Sequence, residues 1–217
     1  MGKETYRILK EKDVGSIGIG AMIVFIAMVL VAGIAASVLI QTSTTLESQA
    51  MATGQETTAE VASGLAVVSV EGHKSGTTLD LLAVMIRPRA GSDDIDLAQA
   101  VIEISDSETK NFLKYGSTYT GSTFIEGNLF RYANYTAAAT TFSIIVLEDA
   151  DNSCSSSSNV VINSGDYVVL GINTSACFSG LSARDDVWGL VIPEEGAPGV
   201  IDFKCPPSFV DTVIELQ

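Results

Sequence analysis

Few side chains in this chain are spaced to do chemistry, and the arrangements that come nearest stop short of a site. The only histidine, His73, lies between Gly72 and Gly76 in what reads as a turn. A Ser-His-Asp relay needs a nucleophile held against its base, and no motif beside His73 marks one, so it reads as a loop histidine. Asp149-Ala150-Asp151-Asn152-Ser153 opens like a calcium loop. An EF-hand then needs glycine at the sixth position and glutamate at the twelfth, where this chain has Cys154 and Val160. Asp93, Asp94 and Asp96 offer carboxylates to a hard cation, but after Gly91-Ser92 they read first as a solvated acidic loop. Gly15, Gly18 and Gly20 mimic a dinucleotide turn, with no strand before them and no βαβ unit after. The expectation is no metal, no cofactor and no enzyme.

The elements around these residues explain the lack of a site. From residue 65 onward the chain reads as short Val/Ile/Tyr/Phe runs divided by Gly, Ser, Asn, Asp and Pro. Strands are expected over 65–71, 79–86, 100–104, 124–125, 142–147, 160–162, 167–172, 187–192, 200–203 and 209–216. Runs at this spacing predict an all-β sandwich of the immunoglobulin-like kind. Residues 153–158 read as a small Ser-rich surface tip. Cys154, Cys177 and Cys205 all fall in this part. Three is odd, so at least one is left over from any pairing. Cys154 and Cys177 flank the strands over 160–172 and form the preferred disulfide pair, while three small buried residues is the competing reading. Two sequons, Asn134-Tyr135-Thr136 and Asn173-Thr174-Ser175, offer N-glycosylation sites if the domain is exported.

Ahead of the strands lies a different kind of sequence. Residues 16–46 carry no charged side chain, and residues 1–15 are charged, with Lys3, Glu4, Arg7, Lys10, Glu11, Lys12 and Asp13. About 20 apolar residues suffice to cross a bilayer as a helix. Here the apolar run continues into a polar stretch that keeps helical spacing, so one helix is expected from Ser16 to about Ala62, stopping at Ser63-Gly64. Small residues recur at Ala32, Gly33, Ala36 and Ser37, which suits close packing on other helices more than exposure to lipid. A secretory signal loses its apolar part on cleavage. In this chain the small-residue junction, Gly15-Ser16, precedes the apolar part, so a cut there would remove only the charged piece. The basic leader stays cytoplasmic and the rest goes outside.

The whole chain has 12 Lys/Arg against 26 Asp/Glu. Without the four basic and three acidic residues of positions 1–15, eight face 23, a net charge of −15. Phosphate binding needs clustered Lys/Arg, so nucleic acid is excluded as a partner. Acidity on this scale keeps an exposed surface soluble.

The junction Lys12-Asp13-Val14-Gly15-Ser16-Ile17-Gly18-Ile19-Gly20, with the apolar run through Leu30-Val31-Ala32-Gly33-Ile34-Ala35-Ala36-Ser37-Val38-Leu39-Ile40, resembles the N-terminus of archaeal flagellins (archaellins). Gly18 matches a glycine typical of that family. Ile95-Asp96-Leu97 and Pro193…Gly196-Ala197-Pro198 extend the resemblance more loosely; Val14 departs from it, where many members have a second basic residue. The resemblance implies an α+β subunit in three parts. They are a leader over 1–15 removed by a prepilin-type peptidase, an assembly and membrane helix over 16–63, and an outer β-domain over 64–217. It implies a homopolymer, the subunit of the archaeal swimming filament, held in the membrane before assembly and turned by separate motor and platform proteins. It also implies N-glycosylation. An archaeal adhesion pilin is the alternative of the same class, although pilin helices often carry a glutamate near the new N-terminus and residues 16–46 have none. A surface binding protein tethered by its helix is the alternative of another class.

Overall fold

The computed structural model describes residues 2–121, 129–131, 135 and 138–217. The chain divides into two units, Met1–Gln55 and Glu56–Gln217.

Helix α1 spans Gly2–Ala62, and at 1.5 Å per residue it is about 90 Å long. It contains no proline. The expected start at Ser16 is therefore corrected: the charged leader is helical too, and α1 runs unbroken through Gly15-Ser16. Between Ile17 and Ile40 apolar residues lie on all sides of the helix, the pattern of a helix that ends up surrounded by lipid or by other helices. Several of its hydroxyls bond within the helix. Thr42 Oγ1 donates to Leu39 O at 3.0 Å, Thr45 Oγ1 to Gln41 O at 2.8 Å and Ser48 Oγ to Thr45 O at 2.9 Å. They can therefore leave water without losing a hydrogen bond.

The helix stops where expected. Gly64 follows with φ +159°, and a Cβ there would lie 2.6 Å from Ala197 O. Gly196, at φ +94°, comes so close to Ser63 that a Cβ would sit 2.3 Å from Ser63 O. Ala197 N donates to Ser63 O at 2.9 Å, Leu65 N to Ala197 O at 3.0 Å and Gly64 N to Ser92 Oγ at 3.0 Å. Two glycines let these backbones touch, and the backbone N–H and C=O groups of Ser63, Gly64 and Leu65 all find partners there.

The rest is β. The strands are β1 Leu65–Ser75, β2 Thr78–Pro88, β3 Ile95–Asp96, β4 Val101–Ser105, β5 Lys110–Thr120, β6 Thr141–Glu148, β7 Cys154–Ser156, β8 Asn159–Ile162, β9 Tyr167–Asn173, β10 Asp186–Ile192, β11 Gly199–Lys204 and β12 Val213–Glu215, with a short helix α2 over Thr174–Phe178. Nine strands join in one sheet, in the order β11-β10-β4-β5-β6-β9-β2-β1-β12. The others form a small sheet, β3-β8-β7. Only the β5–β6 pair in the large sheet is parallel among the described pairings.

Both faces of the expected sandwich belong to one sheet that folds over its own core. Its two ends come back together: Asp202 N of β11 donates to Oε1 of Gln217, which follows β12, at 2.9 Å. Inward residues alternate on β11, where Gly199, Ile201 and Phe203 are buried and Val200, Asp202 and Lys204 exposed, whereas β6 and β9 in the middle of the sheet are buried on both faces. The inward residues fill one core that includes Leu65, Leu82, Ile102, Leu113, Phe142 and Leu170. A smaller apolar cluster, Ala83, Ile145 and Val169 with Phe130 and Tyr135, covers part of the opposite face.

Candidate functional site

The most extensive apolar surface among the described residues that the fold does not use internally is that of α1. Fifteen large apolar side chains between Ile17 and Ile40 each stand more than half exposed. Ile17–Ala62 has the length and composition of a membrane-crossing helix. Burying one such side chain is worth about 1.5–3 kcal/mol, so exposing this row to water would cost on the order of tens of kcal/mol. Gly18, Ala32, Gly33, Ala36 and Ser37, the expected packing positions, are all exposed. A Cβ added at Gly18, Gly20 or Gly33 would meet nothing within 4 Å. A helical glycine costs roughly 1 kcal/mol relative to alanine, and the described structure gives no return for it. The reason for these glycines lies outside the single chain.

The β-domain was expected to hold no chemistry, and the geometry qualifies that. Asp149, Asp151 and Asp166 bring carboxylate oxygens within 4.8 Å of one another. Asn163 Nδ2 donates to Asp151 Oδ2 at 2.6 Å, and this bond, the largest influence, holds the Asp151 carboxyl below its usual range. Asp166 is buried, which raises its pKa, although Asn163 N donates to Oδ2 at 2.9 Å. Three hard oxygen donors at this spacing are the kind of set a Ca²⁺ ion takes. The EF-hand test could not find it, because Asp166 comes from beyond β8, outside the 149–160 window. A second acidic place lies at the helix exit, where Asp93, Asp94, Asp96, Glu194 and Glu195 line a cleft of about 50 Å³ with Ser63. The two loosely archaellin-like segments, around Ile95 and around Gly196, thus meet at Ser63-Gly64.

Other expected sites fare differently. The proposed Cys154–Cys177 disulfide is corrected: all three cysteines are free. Cys154 is buried in β7 of the small sheet, and Cys177, in α2, directs its thiol to Ala139 O at 3.2 Å. Burial pushes Cys154 up to about 12, and Cys177 and Cys205 up to about 11. At neutral pH they are protonated thiols, buried at Cys154 and Cys205 and part-buried at Cys177, not nucleophiles. His73 is corrected from loop to strand: β1 runs on to Ser75, and its Nδ1 lies 2.7 Å from Asp80 Oδ1, with the Phe130 ring 5.4 Å away. Asn173 caps α2, its Oδ1 accepting from Ala176 N at 3.1 Å, and it is half-buried. Asn134 lies outside the described residues, as does the strand expected over 124–125. Gly15 and Ser16 lie within α1.

Comparison with known proteins decides the family. A family model described as archaeal-type flagellin matches residues 15–203. The chain belongs to that family. Flagellin B2 of Methanocaldococcus jannaschii is 46% identical over 218 residues, covering 99% of this chain and 100% of that protein. Flagellin B1 of Methanococcus voltae is 42% identical over 209 residues, covering 94% and 95%. Among solved structures, the crystal structure of archaeal flagellin FlaB1 from M. jannaschii superposes with a TM-score of 0.66 at 39% identity, covering 72% of this archaellin and 98% of that chain. The archaeal flagellum of Methanospirillum hungatei shares the fold, with a TM-score of 0.62 at 17% identity over 91% and 98%. This archaellin is built as a long N-terminal apolar helix followed by a large β-domain, and the solved structures it resembles are those of archaeal flagellins.

Proposed function

We propose that this archaellin is the structural subunit of an archaeal swimming filament and does its work by assembly, not catalysis. The observation that carries the reading is the apolar surface of α1, exposed on all sides and dotted with glycines the chain itself does not need. In the membrane, lipid covers that surface. In the filament, copies of the same helix cover it, packed closely through Gly18, Ala32, Gly33, Ala36 and Ser37. A contact between different surfaces of identical subunits does not close on itself, and so it generates a helical polymer. The β-domains then lie outside the helix bundle, extracellular, and their negative charge keeps neighbouring filaments from sticking.

Release into the polymer follows a cut between Gly15 and Ser16 by a prepilin-type peptidase. The cut removes every charge ahead of Glu47 except the new α-amino group, and burying a leader charge in a helix bundle would be costly. Because α1 is continuous through Gly15-Ser16, the peptidase must unwind at least a turn there, which Gly15 and Gly18 make easier. Rotation is supplied by separate motor and platform proteins in the membrane. An N-linked glycan on at least one of Asn134 and Asn173, Asn173 first, completes the reading.

The test is to express the full chain in an archaeal host lacking its own archaellins, shear surface filaments and identify them by electron microscopy and peptide mapping. Filaments built from this chain and starting at Ser16 are expected. Cells that export the chain but form no filament, or filaments starting at Met1 or Gly2, would overturn it.

A further inference from the structure

The outward face of β5, β4, β10 and β11 carries large apolar residues that the domain leaves exposed, whereas the outward apolar residues of β2, β6 and β9 are covered. A sheet with one face on the core normally turns polar residues to solvent. Here Val101, Phe112, Trp188, Leu190, Ile192 and Val200 occupy outward positions in neighbouring strands, placed by the registers Leu190↔Glu103, Glu103↔Phe112 and Leu190↔Val200. Trp188 is 44% exposed, Phe112 55% and Val200 54%. Lys110 Nζ stands 5.0 Å from the Trp188 ring centroid and 5.5 Å from that of Phe112, and is ion-paired with Glu103.

The charge on this face is equally unusual. Lys110, Lys114 and Lys204 balance Glu103, Asp186 and Asp202 among the same outward positions, so the face is neutral on a chain whose residues 16–217 total −15. Two copies of an acidic domain repel wherever acidic surfaces meet within a Debye length, about 8–10 Å. This face is where that repulsion is absent, and where apolar area rewards contact. A second outlier lies after β11. The segment 206–213 exposes Val210 at 82% and Val213 at 43%, next to Asp211. A short exposed apolar segment complements an exposed aromatic face that carries no net negative charge to repel it.

We infer that the Phe112–Trp188 face is a docking surface for the Val210–Val213 segment of a second copy of this chain, the lateral contact between outer domains. The inference rests on the filament reading, which supplies the second copy. The two surfaces are different parts of the same domain, so the contact is heterologous and compatible with a helical array.

The test places the photo-cross-linking residue p-benzoylphenylalanine at position 188 of the full chain, expressed and assembled as above. Sheared filaments are irradiated and their cross-linked peptides mapped. An adduct between position 188 and residues 206–213 of another subunit is expected. Val210→Asp, at a side chain too exposed to affect folding, should lower the adduct yield roughly tenfold or more, as loss of a central apolar contact does. Trp188→Ser should make filaments dissociate at lower temperature. Filaments that form but give no adduct, or adducts only to carbohydrate, to another protein or to a different segment, would overturn the docking site and leave the filament reading intact. If the unsubstituted chain forms no filament by electron microscopy, both readings fall together.

Discussion

Glycine is used in opposite ways in the two units. In α1, a methyl group added at Gly18, Gly20 or Gly33 would meet nothing. In the β-domain, a Cβ at Gly189 would lie 2.2 Å from Glu103 O, and one at Gly171 would lie 2.4 Å from Ser143 Oγ. These two domain glycines answer contacts within the chain. The helix's glycines answer contacts the chain cannot make alone. The apolar residues divide likewise: most of those in the domain are buried in its two clusters, and those of the helix are exposed. One unit is complete as a fold; the other becomes complete only in lipid or in a polymer.

The largest effect should come from severing that second completion. Gly15→Val, which blocks the proposed cut, should leave a precursor longer by 15 residues in the membrane and no filaments, read by N-terminal sequencing and electron microscopy. Next comes a matched pair of truncations. Phe142→Ala, at a fully buried side chain packed 5.9 Å from the Tyr115 ring, should destabilise the β-domain by about 3–5 kcal/mol. Phe25→Ala, at a residue 67% exposed, should leave thermal unfolding of the domain unchanged in detergent while weakening filaments. Equal losses of domain stability from the two would refute the contrast.

A glycine pair makes the comparison finer. Gly33→Leu should overpack the helix bundle at a cost of roughly 1–3 kcal/mol per subunit, seen as shorter or absent filaments with normal membrane insertion. Gly189→Ala should instead lower the unfolding temperature of the domain, because the collision is with backbone. Normal filaments from Gly33→Leu would show that this glycine does not face a neighbour.

High pH should also separate the units. Burial raises the Tyr115 hydroxyl to about 12 and pushes Tyr135 higher still. A raised acid in the folded state means stability is fully present below the ordinary value near 10 and is lost as pH climbs from there toward 12. The domain should therefore loosen over that window, with late-titrating tyrosines in the ultraviolet. Residues 16–62 contain no tyrosine, so circular dichroism of the helix should not follow that titration. The smallest effect concerns the glycan. Ser175→Ala removes the sequon while keeping the Asn173 cap on α2, and should lower the intact mass by one glycan without changing the unfolding temperature. A native mass equal to the unmodified chain would remove the glycan.

The sequence was most legible where the physics is local. A charge-free run is visible residue by residue, and so is a stop at Ser63-Gly64. Strands rich in Val and Ile, such as β2, β6 and β9, were expected within a few residues of their observed limits. β5 was missed because Lys110, Asn111, Lys114, Ser117 and Thr118 hide its alternation, and its place is set by pairing with β4 and β6. α2 was missed because five residues carry no periodicity, and its cap is visible only once β9 has ended at Asn173.

By itself, then, the sequence determined that a long apolar helix precedes an acidic β-domain, because hydropathy and charge are properties of consecutive residues. Only the tertiary structure decided that nine strands form one sheet closing on itself. The same holds for Asp166 joining Asp149 and Asp151, and for the meeting of Ser63, Ile95 and Gly196 at the helix exit. Such contacts join residues far apart in the chain. They depend on strand order and register, which long-range pairing selects and no local pattern encodes.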